Sequence, residues 1–208
     1  MGAIKGSISY ALFEVDGSLG DRPEGRILER LHEYRFQELT AAHEEDSRSG
    51  WCVMTDMLDT VFTNENVFRN EYICFGLRTD RWSLPGALLK ARIAREEEAV
   101  RERTGRTRLY KSEREAVRDA QSRLLKEQLV PSAASIDVVW NTQKKQLRIW
   151  TLSPARLDLF DELFVPTFGA EFGVRLVRRR PYTAAMAAGL SAEQIARIDT
   201  LNRFIYNV

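Results

Sequence analysis

Seven basic side chains, Arg101, Arg103, Arg106, Arg108, Lys111, Arg114 and Arg118, fall within one short stretch of the chain. Guanidinium and ammonium groups at this density neutralise phosphate oxygens, so the chemistry they offer is the capture of a polyanion through its backbone, with no bond made or broken. Over residues 90–126, twelve Lys or Arg meet seven Asp or Glu, a balance of +5 in a chain whose total is only +1. The first fifty residues hold ten carboxylates against six basic groups. A charge polarised in this way concentrates a polyanion on one side, and the commonest intracellular polyanion is nucleic acid.

Bond-making chemistry has fewer candidates. The only histidines are His32 and His43, the latter beside Glu44, Glu45 and Asp46. Neighbouring residues of one loop do not converge on a point, and the metal-binding carboxylates of nucleases come from separate elements, so neither a metal centre nor a nuclease is expected. Cys52 and Cys74 sit in apolar, strand-like sequence and are expected to be reduced packing residues. Neither G-x-x-x-x-G-K-[ST] nor G-x-G-x-x-G occurs, so no phosphate-cradling turn is marked. These residues predict no catalytic group, no metal and no cofactor.

The elements that must position the cations follow from periodicity. Residues 7–15 read as a strand ending at Asp16-Gly17, and residues 26–39 as an amphipathic helix through Ile27, Leu28, Leu31, Tyr34 and Leu39. Residues 42–50 read as a loop and residues 51–54 as a short strand, with two more strands between 57 and 80. The clearer of these, around Tyr72, Ile73, Cys74 and Phe75, has the composition of a strand buried on both faces. Pro85 opens a helix reaching about residue 103, some 28 Å at 1.5 Å per residue, whose second half has almost no apolar face. Thr104-Gly105-Arg106 breaks it, and residues 112–128 form another helix, on which Lys111, Arg114 and Arg118 share a narrow arc. Residues 136–140 and 147–151 predict a β-hairpin. Ser153 and Pro154 predict an N-cap and first turn of a helix ending near Gly169, and residues 172–177 a strand leading into Arg178, Arg179 and Arg180. Ser191 and Gln194 form a capping box before an apolar stripe of Ile195, Ile198, Leu201 and Ile205.

This order predicts an α+β fold: a mixed or antiparallel sheet with packed helices and a projecting basic helical hairpin over residues 85–130. Residues 1–180 are expected to form the main region and residues 181–208 a C-terminal helical segment that makes an oligomer contact. Arg and Lys are also strong helix formers, and Glu96, Glu97, Glu98 and Glu102 interleave with them, so a solvated charged surface accounts for the composition as well. The segregated arc, with Arg101, Arg103, Arg106 and Arg108 at the turn, favours a nucleic-acid surface. Trp82 and Trp150 have the sequence contexts of core or interface anchors and are not expected to stack on bases.

The stretch from Leu77 to Gly169 contains LRTDRWSLPGALLKARI, then TGRTRLYKSER, then LVPSAASIDVVWNTQKKQLRIWTLSPARLDLFDELFVPTFG. These motifs resemble the RdgC family, the recombination-associated DNA-binding proteins of bacteria, over somewhat under half of the chain. The resemblance implies a non-enzymatic α+β subunit that dimerises, in the family as a closed ring through which duplex DNA passes without sequence-specific readout. It implies a nucleoid-associated role that restrains recombinase filaments, and it carries over basic positions at Arg103, Arg106, Lys111 and Arg114. Family members are longer, the part without a counterpart following about Arg180. The chain is therefore expected to be a cytoplasmic, nucleoid-associated homodimer that binds the phosphate backbone of DNA, with a recombinase or other protein as a further partner. No membrane association is expected, because no apolar run approaches the roughly 20 residues of a bilayer span. The rival expectation is a protein-interaction subunit or scaffold of the same fold that does not bind DNA.

Overall fold

Alternation sets the sheet. Along β5 (Ser132–Asn141) the residues Ile136, Val138 and Trp140 are buried, and along β6 (Gln146–Ile149) Leu147 and Ile149 are buried, while the residues between them are half-exposed. That period of two is what a strand with one covered face requires. The computed structural model describes residue 3, residues 9–177, residues 189–194 and residues 196 and 197. The other elements are β1 (Ala11–Asp16), α1 (Glu24–Glu33), β2 (Ser47–Cys52), α2 (Asn64–Val67), β3 (Phe68–Arg69), β4 (Tyr72–Arg81), α3 (Gly86–Thr104), α4 (Lys111–Lys126), α5 (Pro154–Phe164), α6 (Ala170–Phe172) and β7 (Arg175–Val177), with a π-helical turn at Val165–Gly169. The strands lie in the order β2-β4-β5-β6-β1-β7, with β3 paired to β4. Antiparallel registers put Val138 opposite Ile149, Ala11 opposite Ile149, and Val15 opposite Leu176. The chain is α+β.

The chain divides into two compact units: the first comprises Met1–Arg35, Trp51–Leu77 and Ile136–Val208, the second Phe36–Gly50 and Arg78–Ser135. The first unit holds a continuous apolar core in which Trp51, Phe75, Phe160, Phe164 and Phe168 are fully buried. Trp51 meets Phe75 and Phe160 edge-on at 5.0 and 5.6 Å, a geometry that adds about 0.5–1.5 kcal/mol per pair beyond area burial. Rings at a spacing of four continue from Phe160 to Phe164, Phe168 and Phe172, with centroids 5.6, 5.1 and 6.5 Å apart. The indole N–H of Trp51 donates to Thr167 Oγ1 at 2.9 Å, and that hydroxyl donates to Leu163 O, so no polar atom of this buried pair is left unsatisfied. Arg30 of α1 donates to the carbonyls of Pro166 and Thr167, binding α1 to the π-helical turn.

Cys52 and Cys74 are buried free thiols, as expected; burial pushes the Cys74 thiol above its ordinary pKa. The Ser191–Gln194 capping box is present: the Ser191 N–H donates to Gln194 Oε1 at 2.9 Å and the Gln194 N–H to Ser191 Oγ at 3.3 Å. The expectations for Arg178, Arg179 and Arg180, and for Ile195, Ile198, Leu201 and Ile205, fall outside the described residues.

Several boundaries differ from the sequence reading. The helix expected over 26–39 is α1, which ends at Glu33; Leu39, which carried the apolar spacing onward, is buried in the second unit instead, as is Phe36. The loop expected over 42–50 is cut short by β2, which begins at Ser47 and ends at Cys52, not at residue 54. The first strand expected between 57 and 80 is only β3, and α2 precedes it, started by a Thr63–Asn66 capping box. The helix expected to end near Gly169 is α-helical only to Phe164, because Pro166 lacks the N–H that a continuing helix would use. Its Ser153 side chain makes no cap; the Ser153 carbonyl accepts the Arg156 and Leu157 N–H groups. The strand expected from residue 172 begins at Arg175, after α6 ends at Phe172 and Gly173 takes a left-handed φ of 65°. The helices expected over 85–103 and 112–128 are α3 and α4, within two residues at each end.

Candidate nucleic-acid interface

The seven candidate cations occupy the last turn of α3, the connection from Gly105 to Tyr110, and α4, all within the second unit. Leu89, Ile93 and Val100 recur at helical spacing along the covered face of α3, where Val100 is buried and the other two half-buried. Helix α3 stops at Gly105, whose φ of 66° lies in the left-handed region that glycine adopts without a Cβ clash. Thr104 Oγ1 donates to the Val100 carbonyl at 2.7 Å, satisfying one acceptor of the final turn. Helix α4 presents Glu113, Val117, Gln121 and Leu125 at intervals of four, half-buried to buried, and exposes the opposite side. Arg92 donates to Gln128 Oε1 at 2.8 Å at one end of the pair, and Arg106 meets Glu113 at the other. These two ties hold α3 and α4 as an antiparallel hairpin.

Electrostatics divides the seven into two groups. Arg101 pairs with Glu98 at 2.7 Å, Arg106 with Glu113 at 2.5 Å, and Lys111 with Glu115 at 3.7 Å. Arg103, Arg108, Arg114 and Arg118 are exposed and have no carboxylate partner among the described residues. Arg114 and Arg118, with Lys111, fall within about 60° of one another on α4 and span roughly 10 Å along its axis. The Arg106–Glu113 pair organises the turn: hydrogen bonding from Arg106, then from the Tyr110 N–H, holds the Glu113 carboxyl below its usual range, while the same partner raises Arg106. Lys90 and Arg95, outside the expected set, are likewise exposed with no carboxylate partner among the described residues.

Other cations of the basic stretch serve the fold. Lys126 is 7% exposed; its ammonium meets Asp46 Oδ1 at 2.9 Å and the Glu45 carbonyl at 3.5 Å. Arg123 pairs with Glu127 at 3.7 Å. Beside α4 lies a cleft of about 910 Å³ with Glu44, Asp46, Glu115 and Asp119 facing Arg118, Arg123 and Lys126, so this flank of the hairpin carries both signs of charge. Arg118 thus lines a cleft of mixed charge, which Arg114 does not.

The acidic loop is engaged locally: Glu45 pairs with Arg48 at 3.0 Å, and the His43 ring accepts the Thr40 N–H at 3.1 Å. Among the described residues no three His, Cys, Asp or Glu side chains cluster as a metal site. Trp82 is buried, and Trp150 is half-buried against Tyr10, with ring centroids 5.5 Å apart. The group absent from the sequence reading is Tyr110, 69% exposed in the middle of the basic turn, with the Arg106 guanidinium 5.0 Å over its ring. An aromatic residue between Arg108 and Lys111 was the available signal. No helix among the described residues is long and apolar enough to cross a membrane. No family model matches the chain, and no curated protein matches it.

Proposed function

We propose that the chain is a non-enzymatic, sequence-tolerant DNA-binding protein that engages duplex phosphates through the α3–α4 hairpin, as a homodimer, and modulates homologous recombination in the bacterial nucleoid. The observation that carries this reading is the set of four exposed arginines, Arg103, Arg108, Arg114 and Arg118, with no carboxylate partner among the described residues. Cations that fold-internal carboxylates do not occupy are free to exchange water and counterions for phosphate oxygens, and counterion release then drives association. Recombination, dimerisation and encircling of the duplex rest on the likeness of the hairpin and its flanks to the RdgC motifs. The test is a titration of labelled duplex DNA at about 50 and about 200 mM salt, where binding that weakens steeply with salt is expected. No binding at the lower salt overturns the reading.

A second reading, a protein-docking scaffold, is favoured by one feature of the same hairpin: Leu88, Leu124 and Val130 are 45%, 46% and 89% exposed. Apolar side chains so placed fit a protein partner better than a phosphate backbone. DNA affinity that is lost on charge reversal of Arg103, Arg108, Arg114 and Arg118 but kept on substitution of Leu124 and Val130 by Ser separates the two.

A further inference from the structure

The Tyr110 side chain lies largely in solvent, with its ring set against the Arg106 guanidinium. Tyr110 occupies the N-cap of α4, a position where Ser, Thr, Asp or Asn is preferred because a short side-chain oxygen can accept a backbone N–H. The stabilising bond here runs the other way, from the Tyr110 backbone N–H to Glu113 Oε2 at 2.8 Å, and any residue except proline supplies that donor. The ring is 69% exposed and makes no ring-to-ring contact among the described residues. Yet it is not loosely placed. Arg106 lies 5.0 Å over the ring, Glu113 grips Arg106 at 2.5 Å, and the second oxygen of Glu113 fixes the Tyr110 backbone. Tyrosine, guanidinium and carboxylate form a clamp that orients an aromatic face, at the point of the hairpin where Arg103 and Arg108 have no carboxylate partner among the described residues.

We propose that Tyr110 is a stacking platform for an unpaired nucleobase, so that the hairpin turn engages single-stranded or frayed DNA in preference to intact duplex. This deepens the DNA-binding reading and rests on it. In a duplex both faces of every base are covered by its neighbours, and an aromatic side chain gains a partner only where a base is unstacked. The flanking cations hold the strand electrostatically in either form. The ring adds a contact that only an open strand can make, and the cation on its far side stiffens the platform.

The test measures anisotropy of labelled oligothymidylate and of a blunt duplex of the same length, at about 50 mM salt, with the full chain and its Tyr110→Ala and Tyr110→Phe variants. Tyr110→Ala should weaken oligothymidylate binding roughly tenfold, and leave duplex binding within about twofold. Tyr110→Phe, which keeps the π face, should bind as the unaltered protein does. Because the side chain is exposed and alanine retains the N–H that Glu113 accepts, the melting temperature should move little, by no more than loss of one exposed cation–π contact allows. Equal weakening on both ligands, or none on oligothymidylate, overturns the stacking role while leaving the charge-based reading standing. Failure of the unaltered chain to bind either ligand overturns both.

Discussion

Replacing Arg103, Arg108, Arg114 and Arg118 together by Gln removes the four of the seven candidate cations that have no carboxylate partner among the described residues, while keeping side chains that extend into solvent. The logarithm of affinity for B-form DNA falls with the logarithm of salt by about 0.9 per phosphate neutralised. Four contacts give a slope near −3.6, so a rise from about 50 to about 200 mM salt weakens binding about 150-fold. If Arg101, Arg106 and Lys111 also gave up Glu98, Glu113 and Glu115 for phosphate, seven contacts would give a slope near −6.3 and a loss of about 6,000-fold. The slope for each engaged subunit thus reports how many of the cations take part, and the quadruple variant should be shallower by about 3.6. Anisotropy titrations of a labelled blunt duplex across a series of salt concentrations measure both. A slope near −6 that survives the quadruple substitution would refute the reasoning that prior pairing decides which cations are available. A slope that does not change at all would place the contact surface outside the hairpin.

The turn itself should respond to acid. The carboxyl of Glu113 is depressed below its unfolded value by Arg106 first and by the Tyr110 N–H second, so its stabilisation is fully present above the ordinary glutamate range, near 4.3, and is lost as pH falls through the folded value. Hydrogen exchange at the Tyr110 amide should therefore quicken in acid relative to its intrinsic rate, and Glu113→Gln should quicken it at neutral pH and flatten the acid response. In the first unit, a Cβ added at Gly76 would lie 2.8 Å from Cys52 Sγ. Gly76→Ala should cost about 1–3 kcal/mol in urea denaturation through overpacking, and Cys52→Ala in the same chain should restore most of it; a double variant no more stable than the single one contradicts this packing argument.

The sequence disclosed elements best where one physical signal acted alone. Ile73, Cys74 and Phe75 announce a doubly covered strand because no solvent-facing polar residue interrupts them, and β4 lies there. Pro85 and Gly105 bracket α3 through backbone constraints that tertiary contacts do not override. Local pattern failed where a residue served a different neighbourhood from the one its spacing suggested: Leu39 prolongs the apolar period of α1 yet is buried in the second unit. Helix α2 went unseen because its capping box uses Asn66 at the third helical position, where Glu or Gln is the recognised signal. At the candidate interface, composition located the cations but not their partners. Glu98, Glu113 and Glu115 are visible as letters, but which of them reaches a guanidinium or ammonium depends on rotamer and register. Tyr110 was legible as a residue type and illegible as an exposed one.

The π-helical turn at Val165–Gly169 fixes a length as well as a shape. Rings placed every fourth residue outrun a 3.6-residue turn, so each successive phenylalanine of an ordinary α-helix would swing about 40° further around the axis, and by Phe172 the row begun at Phe160 would have wandered off its support. A locally underwound segment winds that phase back, which is how Phe168 still meets Phe164 on one side and Phe172 on the other. Losing or gaining one residue beside Pro166 would shift everything downstream by about 100°, turning Phe172 away from its neighbour and from the Arg26 guanidinium 4.8 Å above it. Exchanges of one amino acid for another at Val165, which is 55% exposed, leave that phase untouched. Evolutionary drift in this bend is thus constrained in residue number more tightly than in residue identity.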